Sequence, residues 1–479
     1  MISNLQSINY YIPELILVGS ILLAILFDLI PPLKKWNYYI ALIGIVATGL
    51  FLSMSFGSDK SLFMGMIAID SFSHYFKWLF LISTFAVLLV SHYTKELDGT
   101  HRAEYNTLLL IVLFGLFLMS SATNLIMVYL SIETVSIASY ILAGMLKGNR
   151  ASNEASLKYV IFGAFSSGLM LYGLSWLYGI SGTTSFEGVR QALVSNGNPL
   201  TIYMSILMML AGIGYKLSMV PFHFWTPDVY EGAPTPITAF LSVAPKAAGF
   251  AILIRFFGSV FSNSDLTPIL GLEWPVLIAI LSAATMTLGN FVAVYQNNVK
   301  RMLAYSSIAH AGYMLMAITV LSNTAIISVV FYLTIYLFMN LGAFFIAIFV
   351  ENKLKAKTIE EWKGLGFRSP LVAGAMVLLL MSLTGLPPTA GFIGKVYVFS
   401  ALIENDQFYW LLVVAILNSV VSLFYYFRIV KSMYLVGTDE TAKVTPHPVI
   451  LGCILVLSFP VILLGIYWSP LITFIQSIL

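Results

Sequence analysis

Apolar runs long enough to cross a bilayer recur from residue 10 to the C-terminus. A helix needs about 20 such residues to span the hydrocarbon, and backbone in lipid must satisfy its own hydrogen bonds. A chain built almost wholly of these runs is therefore expected to be an all-α integral membrane protein. Only 9% of the 479 residues are charged and 59% are hydrophobic, against about 25% charged in a soluble domain. No soluble domain fits, and residues 1–479 read as a single polytopic membrane domain. The first run, Tyr10 to Ile30, has no basic residue before it and no convincing cleavage site after it, so it reads as a retained first helix.

Several chemistries find no residues to carry them. The single cysteine, Cys453, rules out a disulfide framework and a thiolate cluster for zinc or iron–sulfur. The six histidines (74, 92, 101, 223, 310, 447) are scattered without ligand spacing. Gly212 and Gly214 begin a dinucleotide-like pattern, but Leu217 stands where the third glycine belongs and no strand precedes it. Nucleic acid is not an expected partner.

About fourteen transmembrane helices are expected, near residues 10–30, 37–56, 71–92, 104–120, 123–146, 155–180, 201–231, 235–258, 273–296, 302–321, 325–350, 370–404, 408–430 and 447–473. With the N-terminus outside, only Lys60 and Arg190 of the 24 Lys and Arg fall on outer loops. Lys77, Lys158, Lys216, Lys246, Arg255 and Lys395 lie at membrane depth, and the others fall on inner loops or edges. Positive charge collects on the cytoplasmic side, so both termini are expected outside. Thr358 and Glu361 form a T-x-x-E capping box beside Trp362, so the loop from Glu351 to Ser369 is expected to be inner and partly helical at the membrane surface.

Helices 7 and 12 read as discontinuous. The first contains Met219-Val220-Pro221-Phe222-His223-Phe224-Trp225-Thr226-Pro227, the second Gly385-Leu386-Pro387-Pro388-Thr389-Ala390-Gly391. Proline withdraws a backbone donor and opens a helix. The freed carbonyls are expected to face protein or a water-filled cavity, unless each proline makes only a kink. The breaks are five helices apart, as are Glu133 on the fifth and His310 on the tenth. An offset of 177 to 179 residues superposes Glu133 on His310 and Lys216 on Lys395. This points to two five-helix repeats, residues 104–258 (helices 4–8) and 273–430 (helices 9–13). Because five is odd, the second is inverted, giving half-channels open to opposite sides.

A lysine or glutamate at the bilayer centre costs about 3 kcal/mol, so each needs an explanation. Lys77 and Arg255, nearer helix ends, are expected to snorkel to headgroups. Lys158, four residues past Glu154, fits snorkelling and function equally. Glu133, Lys246 and Lys395 lie about ten residues or more from either end of their segments, and Lys216 just before the first break, so these are the functional candidates. Desolvation pushes a buried ammonium towards its neutral form, and a nearby carboxylate pulls it back. A lysine whose carboxylate approaches and withdraws is then a proton switch, and Glu133 with Lys216 is the expected pair. A sodium site wants several hard oxygen ligands, whereas Glu133 is nearly alone at its depth, so the transported ion is expected to be H⁺. At the offset equivalent to Lys246 the second half has Tyr425 and Tyr426, not a lysine. His310 either bridges Lys246 to Lys395 or only joins two helices by a hydrogen bond.

The runs KLSMVPFHFWTPDVYEGAPTP (Lys216 to Pro236), KRMLAYSSIAHAGY (Lys300 to Tyr313) and GLPPTAGFIGK (Gly385 to Lys395) closely resemble the antiporter-like proton-pumping subunits of respiratory complex I, an NADH–quinone oxidoreductase. The resemblance extends over nearly the whole chain. It implies an input half-channel with Glu133 and Lys216, a central link at Lys246 and an output half-channel with Lys395; it also favours a role for Lys158, and with His310 these form the expected proton relay. It implies no cofactor in this chain, with FMN, iron–sulfur clusters and quinone in partner subunits. The implied partners are a neighbouring antiporter-like subunit, small membrane subunits, lipid and protons, and the implied location is a bacterial inner membrane. A length near 480, no sequence for a long lateral helix after Leu479, and lysine rather than glutamate at 395 resemble one of the family's subunit types. An Mrp-type or stand-alone cation/proton antiporter is the main alternative, and a quinone-binding component a further one.

Overall fold

Polar N-caps punctuate the apolar runs. Asn124, Asn149, Asn198 and Asn298 each accept a backbone N–H at the start of the helices Leu125–Ala143, Arg150–Ser181, Pro199–Leu217 and Val299–Ile318. Asp70 and Ser73 form a reciprocal capping box at the start of Ser71–His92. The computed structural model describes residues 4–97, 101–196, 198–261, 274–403, 406–438 and 442–479. Residues 273 and 404, expected edges of the ninth and twelfth segments, lie outside them.

Twelve of the described helices are long and apolar enough to cross a membrane. Besides Ser71–His92, Leu125–Ala143, Arg150–Ser181 and Pro199–Leu217 they include Ile12–Leu29, Arg102–Ser121, Thr235–Val260, Trp274–Val294, Asn323–Leu354 and Pro448–Ile466. Val299–Ile318 is not among these twelve; it carries Lys300, Arg301, Ser306, Ser307 and His310. The expected twelfth helix is two pieces, Pro370–Thr384 and Ala390–Ile403. Thr235–Val260 and Asn323–Leu354 are buried along nearly their whole length and form the centre of the bundle. Ile12–Leu29 and Pro448–Ile466 each turn a face outward, with Leu22, Leu26, Val456 and Phe459 exposed. A short antiparallel hairpin, Lys60–Leu62 with Ile67–Ile69, precedes Ser71–His92.

Both breaks are present and close the same way. After Leu217 the chain enters the left-handed region at Ser218 (φ +60°), and Met219 N–H reaches back to Gly214 O at 2.8 Å. After Thr384 it does so at Gly385 (φ +86°), with Leu386 N–H on Met381 O at 3.0 Å. This six-residue closure satisfies carbonyls that the end of a helix leaves free. Helix resumes at Trp225–Gly232 and at Ala390–Ile403. The two closures lie 167 residues apart, at Leu217 and Thr384, rather than at the 177 to 179 that superposes the lysines. Lys216 therefore precedes its break and Lys395 follows its own.

Candidate functional site

Lys395 lies in the resumed piece Ala390–Ile403, and its side chain reaches back across the break. Its Nζ donates to Thr384 O at 2.7 Å and to Ser419 Oγ at 2.8 Å. Thr384 ends the first half-helix, where carbonyls lack intrahelical donors, so the interruption itself supplies an acceptor for the amine. The ammonium also lies 4.7 Å from the centroid of the Tyr313 ring.

Lys246 follows Pro245 inside Thr235–Val260 and is fully buried. Its Nζ donates to Ser307 Oγ at 2.6 Å and to Ser307 O at 3.0 Å. Lys216, next to last in Pro199–Leu217, is buried as well, and its Nζ makes no protein hydrogen bond. Glu133 Oε1 on Leu125–Ala143 likewise has none. The expected Glu133–Lys216 pair is therefore not in direct hydrogen-bond contact. His310 is held from both sides by tyrosines rather than by either lysine: Nδ1 meets Tyr332 OH at 2.8 Å and Nε2 meets Tyr426 OH at 3.2 Å. It joins Val299–Ile318 to Asn323–Leu354 and Tyr409–Leu435.

Other charges behave differently. The Lys158 side chain is 36% exposed, and its Nζ lies 2.6 Å from both Glu154 Oε1 and Asp228 Oδ2. Asp228 Oδ1 takes Arg301 at 2.6 Å, and Arg301 also reaches Glu231 at 2.9 Å. Lys77 does not snorkel: it is buried with its Nζ 2.6 Å from Glu14 Oε1. Nor does Arg255, whose guanidinium forks onto Asp70 at 2.7 and 2.9 Å. In each case a carboxylate within reach removes the need to seek headgroups. Burial favours the neutral Asp70 acid, but Arg255 and the Ser73 N–H and hydroxyl outweigh it and hold the carboxyl at about 2.

At the other end of the bundle Thr235 N–H and Oγ1 bond Glu96 at 2.7 and 2.8 Å, and Oγ1 also contacts Glu351 at 2.7 Å. Lys300 Nζ lies 3.6 Å from Glu351. Burial, with Glu351 adding to it and Lys300 opposing it, holds the Glu96 carboxyl above the usual range.

Sequence reasoning missed Glu14, Asp70, Asp228 and Arg301. Two signals were present: a carboxylate inside the apolar run 10–30, and an aspartate seven residues past Pro221 in the interrupted helix. Sorting mainly basic residues by depth passed over both. Among the described residues no group of three or more His, Cys, Asp or Glu converges as metal ligands.

Residues 122–422 match the family described as NADH:quinone oxidoreductase/Mrp antiporter, TM. NADH-quinone oxidoreductase subunit N 2 of Sorangium cellulosum is 44% identical over 99% of this chain and 97% of its own length. A chain of respiratory complex I from Thermus thermophilus shares 29% identity and a TM-score of 0.81, covering 96% of this chain and 98% of that one. A chain of the Mrp complex from Dietzia has the same fold, with a TM-score of 0.83 at 19% identity over 98% of this chain and 96% of that one. With apolar helices throughout, two broken helices and buried lysines beside them, this multi-pass membrane chain belongs to the antiporter-like NADH–quinone oxidoreductase subunit N family.

Proposed function

We propose that this chain is the proton-translocating membrane subunit of an NADH–quinone oxidoreductase and conducts H⁺ through Glu133, Lys216, Lys246, His310 and Lys395. One contrast carries the reading. Lys77 and Lys158 sit in ion pairs, which hold a proton in place, whereas the hydrogen bonds of Lys246 and Lys395 go to hydroxyls and carbonyls, and Lys216 meets no hydrogen-bonding protein group. A buried amine with neutral acceptors can exchange its proton as hydration or a neighbouring carboxylate changes. Lys158, at the partly exposed edge with Glu154 and Asp228, fits the mouth of the input half.

In this reading fourteen segments span the bilayer of a bacterial inner membrane, with both termini on the outer side. Residues 104–258 form the input repeat and 273–430 the inverted output repeat. The matching closures at Leu217 and Thr384 support duplication. FMN, iron–sulfur clusters and quinone belong to partner subunits, and a neighbouring antiporter-like subunit and small membrane subunits flank this chain. The experiment is purification in mild detergent followed by reconstitution. Co-migration with flavin and iron–sulfur subunits, and loss of redox-driven acidification in an assembled Lys246→Met complex, are expected. Migration without them, or normal pumping by Lys246→Met, would overturn the assignment.

A further inference from the structure

Ser306 and Ser307 are neighbours on Val299–Ile318, yet each is bonded to a different half of the chain. Ser307 Oγ takes Lys246 Nζ at 2.6 Å, from Thr235–Val260. Ser306 Oγ makes a short hydrogen bond to Tyr426 OH, from Tyr409–Leu435. The same phenol lies 3.2 Å from His310 Nε2, one helical turn further along. Two serines and a histidine on one face thus join the central amine of the first half to a tyrosine of the second.

Tyr426 is almost wholly buried. It also lines a groove of about 780 Å³ that contains Thr384 and Leu386. Those two residues are shared with an adjoining cavity of about 310 Å³ lined by Lys395. Thr384 O is the carbonyl that holds the Lys395 amine. A hydroxyl is both donor and acceptor, so a phenol between two partners can form a new O–H bond with an arriving proton as it breaks its own. No charge is then left on the ring.

We infer that Tyr426 is the group that passes protons from the Ser306–Ser307–His310 junction to the Lys395 side, doing in the second half what an amine does in the first. This rests on the proton-path reading above. Tyr425, beside it, donates to Asn290 at 3.0 Å and also hydrogen-bonds Tyr426 and Ser306.

The test is redox-driven acidification by vesicles containing the assembled complex, normalised to electron transfer. Tyr426→Phe keeps the ring and removes the hydroxyl. Its initial rate is expected to fall about tenfold or more, with Ser306→Ala lower in the same direction. Normal pumping by Tyr426→Phe overturns the inference. Lys395→Met in the same assay separates the two readings: if it also pumps normally, the proton path itself is wrong, and if it fails while Tyr426→Phe pumps, only the role of Tyr426 is lost. Should Tyr426→Phe not assemble, Ser306→Ala, which leaves the ring in place and removes the hydroxyl bonded to it, carries the test: normal pumping by the assembled Ser306→Ala complex overturns the inference.

Discussion

Lys77 Nζ lies 2.6 Å from Glu14 Oε1, and both side chains are shut away from the surface of the chain. The contact ties Ile12–Leu29, which otherwise turns much of its length to lipid, onto Ser71–His92. Removing one partner of a buried pair leaves an uncompensated charge and costs about 3–5 kcal/mol, whereas replacing both by apolar groups is often neutral or better. Glu14→Gln is thus expected to lower the melting temperature of the solubilised complex markedly, and Glu14→Met with Lys77→Met to restore it. Equal melting of the single variant and the unaltered protein would show that the pair does not anchor the first helix.

Glu96 gives a pH dependence with a definite sign. Its carboxyl is held above the usual range by burial, then by Glu351, against Lys300. As pH rises past about 4.3, where an unfolded glutamate ionises, the unfolded chain releases this proton while the folded chain keeps it. The folded state then binds more protons, so stability falls with rising pH until the folded group also ionises. Glu96→Gln removes the titration and leaves the Thr235 hydroxyl free to donate to Glu351. Between about pH 5 and 8 the variant is expected to show a flatter melting-temperature profile, with its gain over the unaltered protein largest at the alkaline end. Parallel profiles would contradict the assignment.

Apolar length and proline made the helices and both breaks legible, because hydropathy and a missing backbone donor are local properties. Depth along a segment correctly singled out Lys246 as a buried group. It could not foresee that Lys395, five residues into a resumed helix, would lean back to Thr384 O, since that depends on how far a four-carbon stem reaches across a gap. Nor could it find Glu14 for Lys77 or Asp70 for Arg255, partners brought together only by packing of distant segments. The same blindness turned two paired cations into expected snorkelers. The sequence already put Lys216 before its break and Lys395 after its own, and the closures, 167 residues apart, bear this out: side-chain type and backbone interruption do not coincide between the halves.

The segment between Asn323–Leu354 and Pro370–Thr384 tests the orientation. Glu361 accepts the N–H groups of Lys357 and Thr358 at 2.6 and 2.8 Å, which starts the short helix Ile359–Trp362 and holds this carboxyl below its usual range. Trp362 packs inward rather than along the membrane surface, while Lys363 is exposed. With Cys453→Ser as background, a cysteine introduced by Lys363→Cys is expected to react with an impermeant maleimide in inverted vesicles and not in intact cells. Labelling from the cell exterior alone would reverse the proposed topology.

Lys395 and Gly385 form one unit, and altering either should stop proton release in a different way. Lys395→Met keeps most of the apolar stem and removes the ammonium that binds Thr384 O and Ser419 Oγ, so assembly should survive while pumping fails. Lys395→Arg is expected to be nearly as defective, because guanidinium stays protonated and cannot cycle. Gly385 stands at φ +86°, and a Cβ there would lie 2.7 Å from Lys395 Cδ and 3.3 Å from its Nζ. Gly385→Ala therefore meets both a backbone conformation that L side chains rarely adopt and a clash with the stem of the lysine. It is expected to push the amine off the Thr384 carbonyl and depress acidification although Lys395 itself is intact. The measurement is redox-driven acidification normalised to electron transfer for each assembled variant. Wild-type pumping by Lys395→Arg would mean that the residue supplies a fixed charge rather than a mobile proton, and wild-type pumping by Gly385→Ala would mean that the reach back across the break is not needed for release.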